Sequence, residues 1–332
     1  MSTENPALAS AASPPRCVEV VAPAKLNLGL RIVGRRDDGY HEIESLFVPL
    51  DLHDEVRVSW TDAPDREGAS VDFRLEAPGG ATGLPRSSGV PSDASNLAAQ
   101  AATRFLESAQ LAARVELRLV KKIPTAAGLG GGSSDAAAVL RALDQMFPGR
   151  LPSGEMSRLA LGLGADVPYF LDPRNAWITG IGDRIEAVEG VPAFSVLLVN
   201  PGSGLSTADV YRGWDARSPA LTPAKAGSTM RALARLKDDS LTLSERLANL
   251  LTNDLESVAS EFCPGILGLR ARLLELGSEA VGMSGSGATV FGIFSDEESA
   301  RSALEQAAFE TPIWAQVTRA GDPKSCWGVA KW

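Results

Sequence analysis

The 332-residue sequence has few of the side chains on which several kinds of site depend. It contains two histidines and three cysteines, and Cys17, Cys263 and Cys326 lie far apart along the chain. An odd number of widely spaced cysteines fits neither a disulfide framework nor a paired-cysteine metal site. We therefore expect a reducing, cytoplasmic setting for this protein.

Long apolar runs and an excess of positive charge are also missing. No run of about 18 apolar residues occurs, so no membrane-spanning helix is predicted. Residues 1–15 lack the basic start and apolar stretch of a signal peptide, and we expect them to form a disordered tail. The net charge of −9 argues against nucleic acid or an anionic membrane as a partner. Small molecules are the expected partners, since nothing in the sequence indicates an obligate protein partner.

The chain does have enough apolar residues, 44%, to bury a sizeable core, and its length suggests about two domains. Strict alternation in EVRVSW, VDFRLE and RVELRLV predicts strands with one buried face. Helices are predicted over 96–109, with Ser95 as the cap, from about Ser134, and over 153–163. A segment rich in glycine, proline and serine, about 78–94, is expected to be a flexible insertion.

After FSVLLVNPG (Phe194 to Gly202) the predicted order of elements changes to strand, helices, paired strands, helix and strand. Such an order is typical of an α+β domain in which helices cover one face of an antiparallel sheet. We place the boundary near residue 190. The expected domains are therefore 16–190 and 191–332.

The stretch IPTAAGLGGGSSD, Ile123 to Asp135, lies between a predicted strand and a predicted helix. The amides of Gly130 to Ser134 would point out of the helix N-terminus and form an anion site. The alternative is a glycine-rich turn that only lets a helix pack close to a sheet. A dinucleotide fingerprint is excluded by Ser133, and a Walker loop by the absence of a following lysine. Phosphate binding is the favoured interpretation.

PTAAGLGGGSSDAAA resembles the phosphate loop of the galactokinase, homoserine kinase, mevalonate kinase and phosphomevalonate kinase (GHMP) superfamily. PAKLNLGL near the start and GMSGSGATVFGIF near the end resemble two further blocks of that superfamily, in the expected order. Within it, APAKLNLGLRIVGRRDDGYHEIESLF and LGADVPYFL are similar to the 4-diphosphocytidyl-2-C-methyl-D-erythritol kinase family. The resemblance spans roughly residues 16–320.

This resemblance implies an α/β (α+β) protein of two domains. The N-terminal domain would be ribosomal-protein-S5-domain-2-like and the C-terminal domain ferredoxin-like, with the active site in the cleft between them. It also implies a kinase of non-mevalonate isoprenoid biosynthesis, with ATP as a substrate, Mg²⁺ as a cofactor and a cytidine diphosphate-linked polyol as the acceptor. No metal ligand can be named from the sequence, although the hydroxyl of Ser134 is one guess.

Two residues are the candidate catalytic groups. Asp166 follows a predicted helix end, where an aspartate more often bonds its own turn; the resemblance makes it the base that accepts the hydroxyl proton. Lys25 lies in an apolar stretch, where burial is costly unless the ammonium is paired, although a solvent-facing lysine is the commoner case. By resemblance, Lys25 orients Asp166 and neutralises the transferring group. Asn27 projects from the same strand face and is a candidate substrate-binding residue.

The remaining candidates bind the two nucleotide groups. Tyr40 and His41 follow a tight turn and could stack on a planar base and hydrogen-bond its edge, or could instead fill core and end a strand. The resemblance assigns both to the cytidine group, with Tyr211 as a weaker candidate for the opposite wall. It assigns ATP binding to Asn96 and to the glycine loop, namely Pro124, Thr125, Ala126, Ala127, Gly128, Leu129, Gly130, Gly131, Gly132, Ser133 and Ser134.

Two alternatives stay open at this point. Another GHMP-type kinase, acting on a homoserine-like or mevalonate-like substrate, would keep the loop and Asp166 but would have no use for Tyr40 and His41. A non-enzymatic nucleotide-binding member would keep the loop and lose the base or the lysine. Both Lys25 and Asp166 are present, which counts against the second alternative.

Overall fold

The structure is a computed structural model that describes residues 16–62, 69–76, 90–217, 241–247, 250–310, 312–321 and 329–330. The expected tail at 1–15 and most of the expected insertion at 78–94 lie outside the described residues. No helix in the described ranges is long and apolar enough to cross a membrane.

The first half of the chain forms a sheet around two long antiparallel strands. These are β1 (Cys17–Arg35) and β2 (His41–Asp62). The second half of β2 pairs with β4 (Ala113–Val120), which in turn pairs in parallel with β3 (Ser70–Glu76). The first half of β2 pairs with β5 (Ala176–Thr179), and β5 with β6 (Arg184–Ala187). Side chains of β4 alternate between buried and exposed up to Leu119, which confirms the prediction for that strand, whereas no side chain of β3 is fully buried.

Four helices accompany this sheet: α1 (Leu97–Ser108), α2 (Gly131–Met146), α3 (Glu155–Leu163) and α4 (Val167–Leu171). Helix α2 lies against β1 and is covered by α1. Its small residues Ala136, Ala137 and Ala138 are fully buried, which lets the helix approach the strands closely. The glycine loop therefore leads into a helix that is fixed firmly to the sheet.

Two helix starts differ from their predictions. The N-cap of α1 is Asn96, whose side chain accepts a hydrogen bond from the amide of Ala98; the hydroxyl of Ser95 donates to Asp93 instead. Helix α2 begins at Gly131, three residues earlier than expected, because Gly130 adopts a φ of 73° and turns the chain into the helix.

The second half forms an antiparallel sheet with helices packed on it. Its elements are β7 (Phe194–Asn200), α5 (Thr207–Asp215), α6 (Leu243–Leu247), α7 (Glu256–Phe262), α8 (Gly265–Glu275), β8 (Ala280–Met283), β9 (Val290–Phe294), α9 (Glu297–Ala307) and β10 (Trp314–Ala320). The strand order is β10-β7-β9-β8, with every neighbouring pair antiparallel. Counted along the chain this is the order 4-1-3-2, so the expected ferredoxin-like arrangement is confirmed.

The two halves meet along β1 and β2. Leu50 of β2 pairs with Ala320 of β10, and the backbone of Leu30 in β1 bonds to Thr252 and Asp254. A short last strand, β11 (Val329–Ala330), returns to pair with β1. The domain boundary near residue 190 falls between β6 and β7 and stays a prediction, since β11 adds a strand to the sheet of the first half.

Candidate active site

A cleft of about 570 Å³ lies between the two halves. Its walls come from β1, the glycine loop, the start of α4, helix α5 and the second glycine-rich loop, which connects β8 to β9. The lining includes residues 124–133 of the predicted loop, and also Lys25, Asn27, Asn96, Asp166 and Tyr211. Most of the predicted site residues therefore border one space.

The glycine loop presents the N-terminus of α2 to this cleft. Gly128 and Gly130 adopt φ values of 76° and 73°, a region that side-chain-bearing residues rarely enter. The amide of Ser134 donates to the carbonyl of Gly130, at 2.9 Å, so it is not one of the free amides expected from the sequence. The amides at 131–133 are the ones that the geometry of a helix start leaves without an intrahelical partner.

Hydrogen bonds from both halves of the chain hold this loop against the cleft walls. The amide of Lys25 in β1 donates to the carbonyl of Leu129 at 3.0 Å. From the other half, the hydroxyl of Ser284 donates to the carbonyl of Gly128 at 2.9 Å. A Cβ atom on Gly128 would lie 2.0 Å from the carbonyl oxygen of Ser284, so only glycine lets the two loops touch here.

The candidate catalytic pair lies next to the loop. The Nζ atom of Lys25 is 3.7 Å from Oδ2 of Asp166, donates to Oδ1 of Asn27 and lies 4.6 Å from the centre of the Phe47 ring. The side chain of Lys25 is 4% exposed and that of Asp166 is 31% exposed. Lys25 is therefore buried and paired, whereas Asp166 remains accessible from the cleft.

Burial lowers the pKa of Lys25, and the neighbouring Asp166 carboxylate opposes that shift. Asp166 occupies the N-cap position directly before α4, yet its side chain makes no capping hydrogen bond to that helix. Its carboxylate is turned towards Lys25 instead of its own turn. The structure therefore excludes the ordinary structural explanation for each residue. Lys25 is not a solvent-facing strand residue, and the Asp166 side chain does not bond its local turn.

Residues predicted to bind a base are only partly brought together. His41 stacks on Tyr211 with ring centres 4.9 Å apart, and its edge faces Trp214. Its Nε2 atom lies 2.7 Å from Oδ1 of Asp215. Burial raises the pKa of Tyr211, with a further contribution from the charge of Asp166. Tyr40, by contrast, is 61% exposed.

Asn96 lines the cleft, but its side chain is used for structure. Its Oδ1 atom caps α1, and its Nδ2 atom donates to the carbonyl of Pro91 at 2.9 Å. The assignment of Asn96 to ATP binding stays a prediction.

Sequence reasoning missed two sets of polar residues that support the cleft. Asn253 donates from Nδ2 to the carbonyls of Met283 and Gly285, at 2.9 and 2.8 Å, and so fixes the second glycine-rich loop. Behind the first loop, the ammonium of Lys121 bonds to Asp54 and Asp135. The alternation of β4, which buries Val115, Leu117 and Leu119, is the signal that could have separated buried Lys121 from its partly exposed neighbour Lys122. The position of Asp135 directly after the loop is a second hint.

A divalent metal in this cleft would be held jointly by protein carboxylates and the phosphate oxygens of a bound nucleotide. Among the described residues, no group of three or more histidine, cysteine, aspartate and glutamate side chains could hold an ion by itself. Asp135 and Asp166 do line the cleft, and Oδ1 of Asp135 has no protein hydrogen-bond partner. One or two carboxylates together with phosphate oxygens form the usual environment of Mg²⁺ in phosphoryl-transfer sites. The hydroxyl of Ser134 also has no partner, but Ser134 is not among the cleft residues.

Comparison with known proteins gives consistent matches over both halves. Family models match at residues 96–172 (GHMP kinases N terminal domain) and 230–311 (GHMP kinases C terminal). The 4-diphosphocytidyl-2-C-methyl-D-erythritol kinase of Syntrophotalea carbinolica is 40% identical over 285 residues, which are 86% of this chain and 92% of the relative. The kinase of the same name from Moorella thermoacetica is 39% identical over 295 residues, 88% of this chain and 96% of the relative.

Solved structures agree with these sequence matches. A crystal structure of 4-(cytidine 5'-diphospho)-2C-methyl-D-erythritol kinase superposes with a TM-score of 0.69 at 35% identity, over 92% of this chain and 99% of that one. Homoserine kinase from Cytophaga hutchinsonii has a TM-score of 0.64 over 99% of this chain and 100% of that one; at 18% identity it supports the fold alone. The fold, the glycine loop and these relatives together show that the chain belongs to the 4-diphosphocytidyl-2-C-methyl-D-erythritol kinase family of the GHMP kinases.

Proposed function

We propose that the protein uses ATP to phosphorylate the 2-hydroxyl of 4-diphosphocytidyl-2-C-methyl-D-erythritol, giving the 2-phosphate and ADP. This reaction belongs to non-mevalonate isoprenoid precursor biosynthesis in the cytoplasm. The observation that carries the proposal is the pairing of buried Lys25 with accessible Asp166, at 3.7 Å, beside the N-terminus of α2. The names of the relatives supply the substrate.

In this reaction the substrate oxygen forms a bond to the γ-phosphorus while the bond from that phosphorus to the ADP oxygen breaks. Asp166 accepts the proton of the attacking hydroxyl, since its carboxylate faces the cleft and is not used by its own helix. Lys25 holds Asp166 in place and sets a positive charge against the oxygens of the transferring group. Because Lys25 is bonded to Asn27 as well, its ammonium is held on the same wall as a candidate substrate-binding amide.

ATP phosphates would bind at the start of α2. The free amides at 131–133 point along the helix axis, and the helix dipole adds partial positive charge at that end. Helix α2 has 16 residues and is packed between β1 and α1, so these amides are held rigidly. Loop residues 124–130 would then surround the polyphosphate with backbone.

Mg²⁺ would be held by the ATP phosphates together with Asp135 or Asp166, the carboxylates on the cleft wall. The ion supplies charge neutralisation at the phosphate oxygens.

The cytidine group would bind at the other end of the cleft. There Tyr211, which lines the cleft, is stacked on His41, which lies outside the lining; the two residues come from the second and first halves of the chain. A cytosine ring can extend such a stack, and Tyr40 is exposed and free to cover it. This aromatic end favours a substrate that carries a base over a small hydroxy acid such as homoserine or mevalonate.

The test is a panel of alcohols with ATP and Mg²⁺, reading ADP release. The panel contains the cytidylated methylerythritol, its uridine counterpart, methylerythritol phosphate, homoserine and mevalonate. We expect efficient turnover with the cytidylated compound alone. Faster turnover of homoserine or mevalonate would support a different GHMP-type kinase, and no ADP release from any alcohol would support a nucleotide-binding protein without kinase activity.

A further inference from the structure

Next to the glycine loop lies a buried charge cluster of which only Asp135 has a role in the reaction described above, as a carboxylate that would hold Mg²⁺; Asp135 and Lys121 border the cleft and Asp54 does not. It consists of Asp54 on β2, Lys121 after β4 and Asp135 on α2, and each of the three residues is 5% exposed or less. The Nζ atom of Lys121 bonds to Oδ2 of Asp54 and, at 2.7 Å, to Oδ2 of Asp135. One ammonium thus connects a strand of the sheet to the helix that follows the loop.

Asp54 also holds the segment that enters the loop. Its Oδ1 atom accepts hydrogen bonds from the backbone amides of Lys122 and, at 2.8 Å, Ile123. Ile123 directly precedes Pro124, the first residue of the loop. Backbone amides are fixed in space by the chain, so a buried carboxylate that accepts two of them determines the path of the segment.

Lys121 holds the segment that leaves the loop. Besides its bond to Asp135, its Nζ atom would lie 3.3 Å from a Cβ atom built on Gly131, the first residue of α2. Both sides of the loop are therefore tied to one carboxylate group on β2. Between these ties, Gly128 and Gly130 leave the loop backbone with wide conformational freedom of its own.

Buried charges rarely increase stability relative to apolar side chains of similar size, so stability alone is a weak explanation for this cluster. Directional bonds do something that apolar packing does not: they fix the orientation of the groups that they join. A helix start that must present three amides to a phosphate group needs such fixing, since the benefit of these donors depends on their placement before the ligand arrives.

We propose that Asp54 is a positioning residue for ATP binding, which acts through Lys121 and the backbone at 122–123 to hold both sides of the glycine loop. This inference rests on the proposed function, in which the loop binds ATP. Asp54 is fully buried and is not among the residues that line the cleft. Removal of the Asp54 charge would by itself favour an anionic nucleotide, so weaker nucleotide binding must come from the groups that Asp54 holds.

The test is Asp54→Asn, with four measurements on the full-length protein. These are the Kd of a non-hydrolysable ATP analogue by calorimetry, the KM for ATP, the KM for the cytidylated alcohol, and the Tm. Asparagine keeps the shape but has one acceptor oxygen, which can face either the backbone amides or Lys121. We expect the analogue Kd and the ATP KM to rise about tenfold or more, with the alcohol KM changed less than about twofold.

Two lysine variants give a matched control. Lys121→Met removes the connection to Asp135 together with an ammonium that borders the cleft, and is expected to weaken analogue binding at least as much as Asp54→Asn does. Lys122→Met removes the neighbouring lysine, whose side chain pairs with Glu55 at the surface, and is expected to leave the analogue Kd unchanged. The double variant Asp54→Asn, Lys121→Met removes the buried charges of both residues and keeps an acceptor for the backbone amides, so it serves if the single variant does not fold.

An analogue Kd within about twofold of the parent in a folded Asp54→Asn protein would overturn the proposal. Equal rises in the ATP KM and the alcohol KM would also overturn it, as would loss of folding in both Asp54→Asn and the double variant, because the cluster would then serve general stability. Analogue binding needs no alcohol. A parent protein that binds the analogue but does not phosphorylate the cytidylated compound would reject the substrate assignment and leave this test standing.

Discussion

The two ends of the cleft differ in how completely their residues are assembled. At the catalytic end, Lys25 is buried against Asp166, and the glycine loop is bonded to the second glycine-rich loop, between β8 and β9. At the other end, Tyr211 lines the cleft and is stacked on His41, which is bonded to Asp215; His41 and exposed Tyr40 are not among the lining residues. The candidate catalytic groups of the first end already lie together at the cleft, whereas the aromatic residues of the second are engaged mainly with one another.

This difference follows from where the residues come from. Lys25, Asp166 and the glycine loop all belong to the first half of the chain, and the second half adds the bond from Ser284 to the loop. The base end combines the β1–β2 turn of the first half with α5 of the second. An aromatic pair divided between two halves depends on their relative placement, whereas the Lys25–Asp166 pair does not. Mutations at the two ends should therefore affect different kinetic constants.

The largest effect is expected from Asp166→Asn. An amide keeps the shape of the side chain but does not accept the hydroxyl proton, and the loss of a positioned base costs about 10² to 10⁴ in rate. We expect kcat to fall by that factor with ATP affinity nearly unchanged, measured by steady-state kinetics and calorimetry. Asp172→Asn is the control, since Asp172 is an exposed carboxylate at the other end of α4 that pairs with Arg174. A kcat within a few-fold of the parent would remove Asp166 as the base.

A second, smaller loss is expected from Gly128→Ala. The new Cβ atom would meet the carbonyl oxygen of Ser284 at 2.0 Å, and a φ of 76° adds strain of about 1–3 kcal/mol. The two loops would separate, so ATP KM should rise in a protein that still folds. Gly154→Ala is the matched control, because Gly154 has a φ of 78° and open space around its Cβ position. If both variants bind ATP equally well, contact between the loops is not needed.

The catalytic end was also the easier end to predict from sequence. A glycine-rich run between a strand and a helix has few structural uses, and a lysine in an apolar strand needs a partner. The alternating strands and the order of elements predicted an antiparallel sheet covered by helices. Asp54, Lys121 and Asn253 were not predicted, because their roles depend on contacts between distant segments. The alternation of β4 places Lys121 on the buried face, but nothing local names Asp54 and Asp135 as its partners.

The pairing of β11 with β1 was missed for the same reason, since strand pairing over about 300 residues leaves no local pattern. The base end was predicted as a list of residues without its internal contacts. Nothing around Tyr40 and His41 in the sequence indicates that the imidazole would already be bonded to Asp215, an aspartate of α5.

His41→Ala probes the base end. The variant would remove the imidazole hydrogen bond to a desolvated base, and the loss of such a bond costs about 1–3 kcal/mol. It would also remove the stack of His41 on Tyr211. We expect kcat/KM for the cytidylated substrate to fall and the preference for cytidine over uridine to shrink, with ATP affinity unchanged. Tyr40→Ala sharpens the comparison: an equal loss would mean that exposed Tyr40 closes onto the bound base. Unchanged cytidine preference in His41→Ala would show that this end does not read the base.

The smallest effect is expected from Asp135, through the pH dependence of the Tm. Burial raises the pKa of Asp135 to about 8, with the charge of Lys121 opposing the shift and that of Asp54 adding to it, from an ordinary value of 3.8. Because the folded-state pKa is the higher one, the stability that the proton adds is fully present below about pH 4 and is lost as the pH rises through about 8.

Asp135→Asn keeps the shape and removes the titration. The Tm of the variant minus that of the parent should therefore increase between about pH 5 and 9, in thermal scans at constant ionic strength. A difference for Asp135→Asn that stays constant with pH would mean that Asp135 is ionised against Lys121 throughout, and that the loop is held by fixed charges from behind as well as beside Lys25.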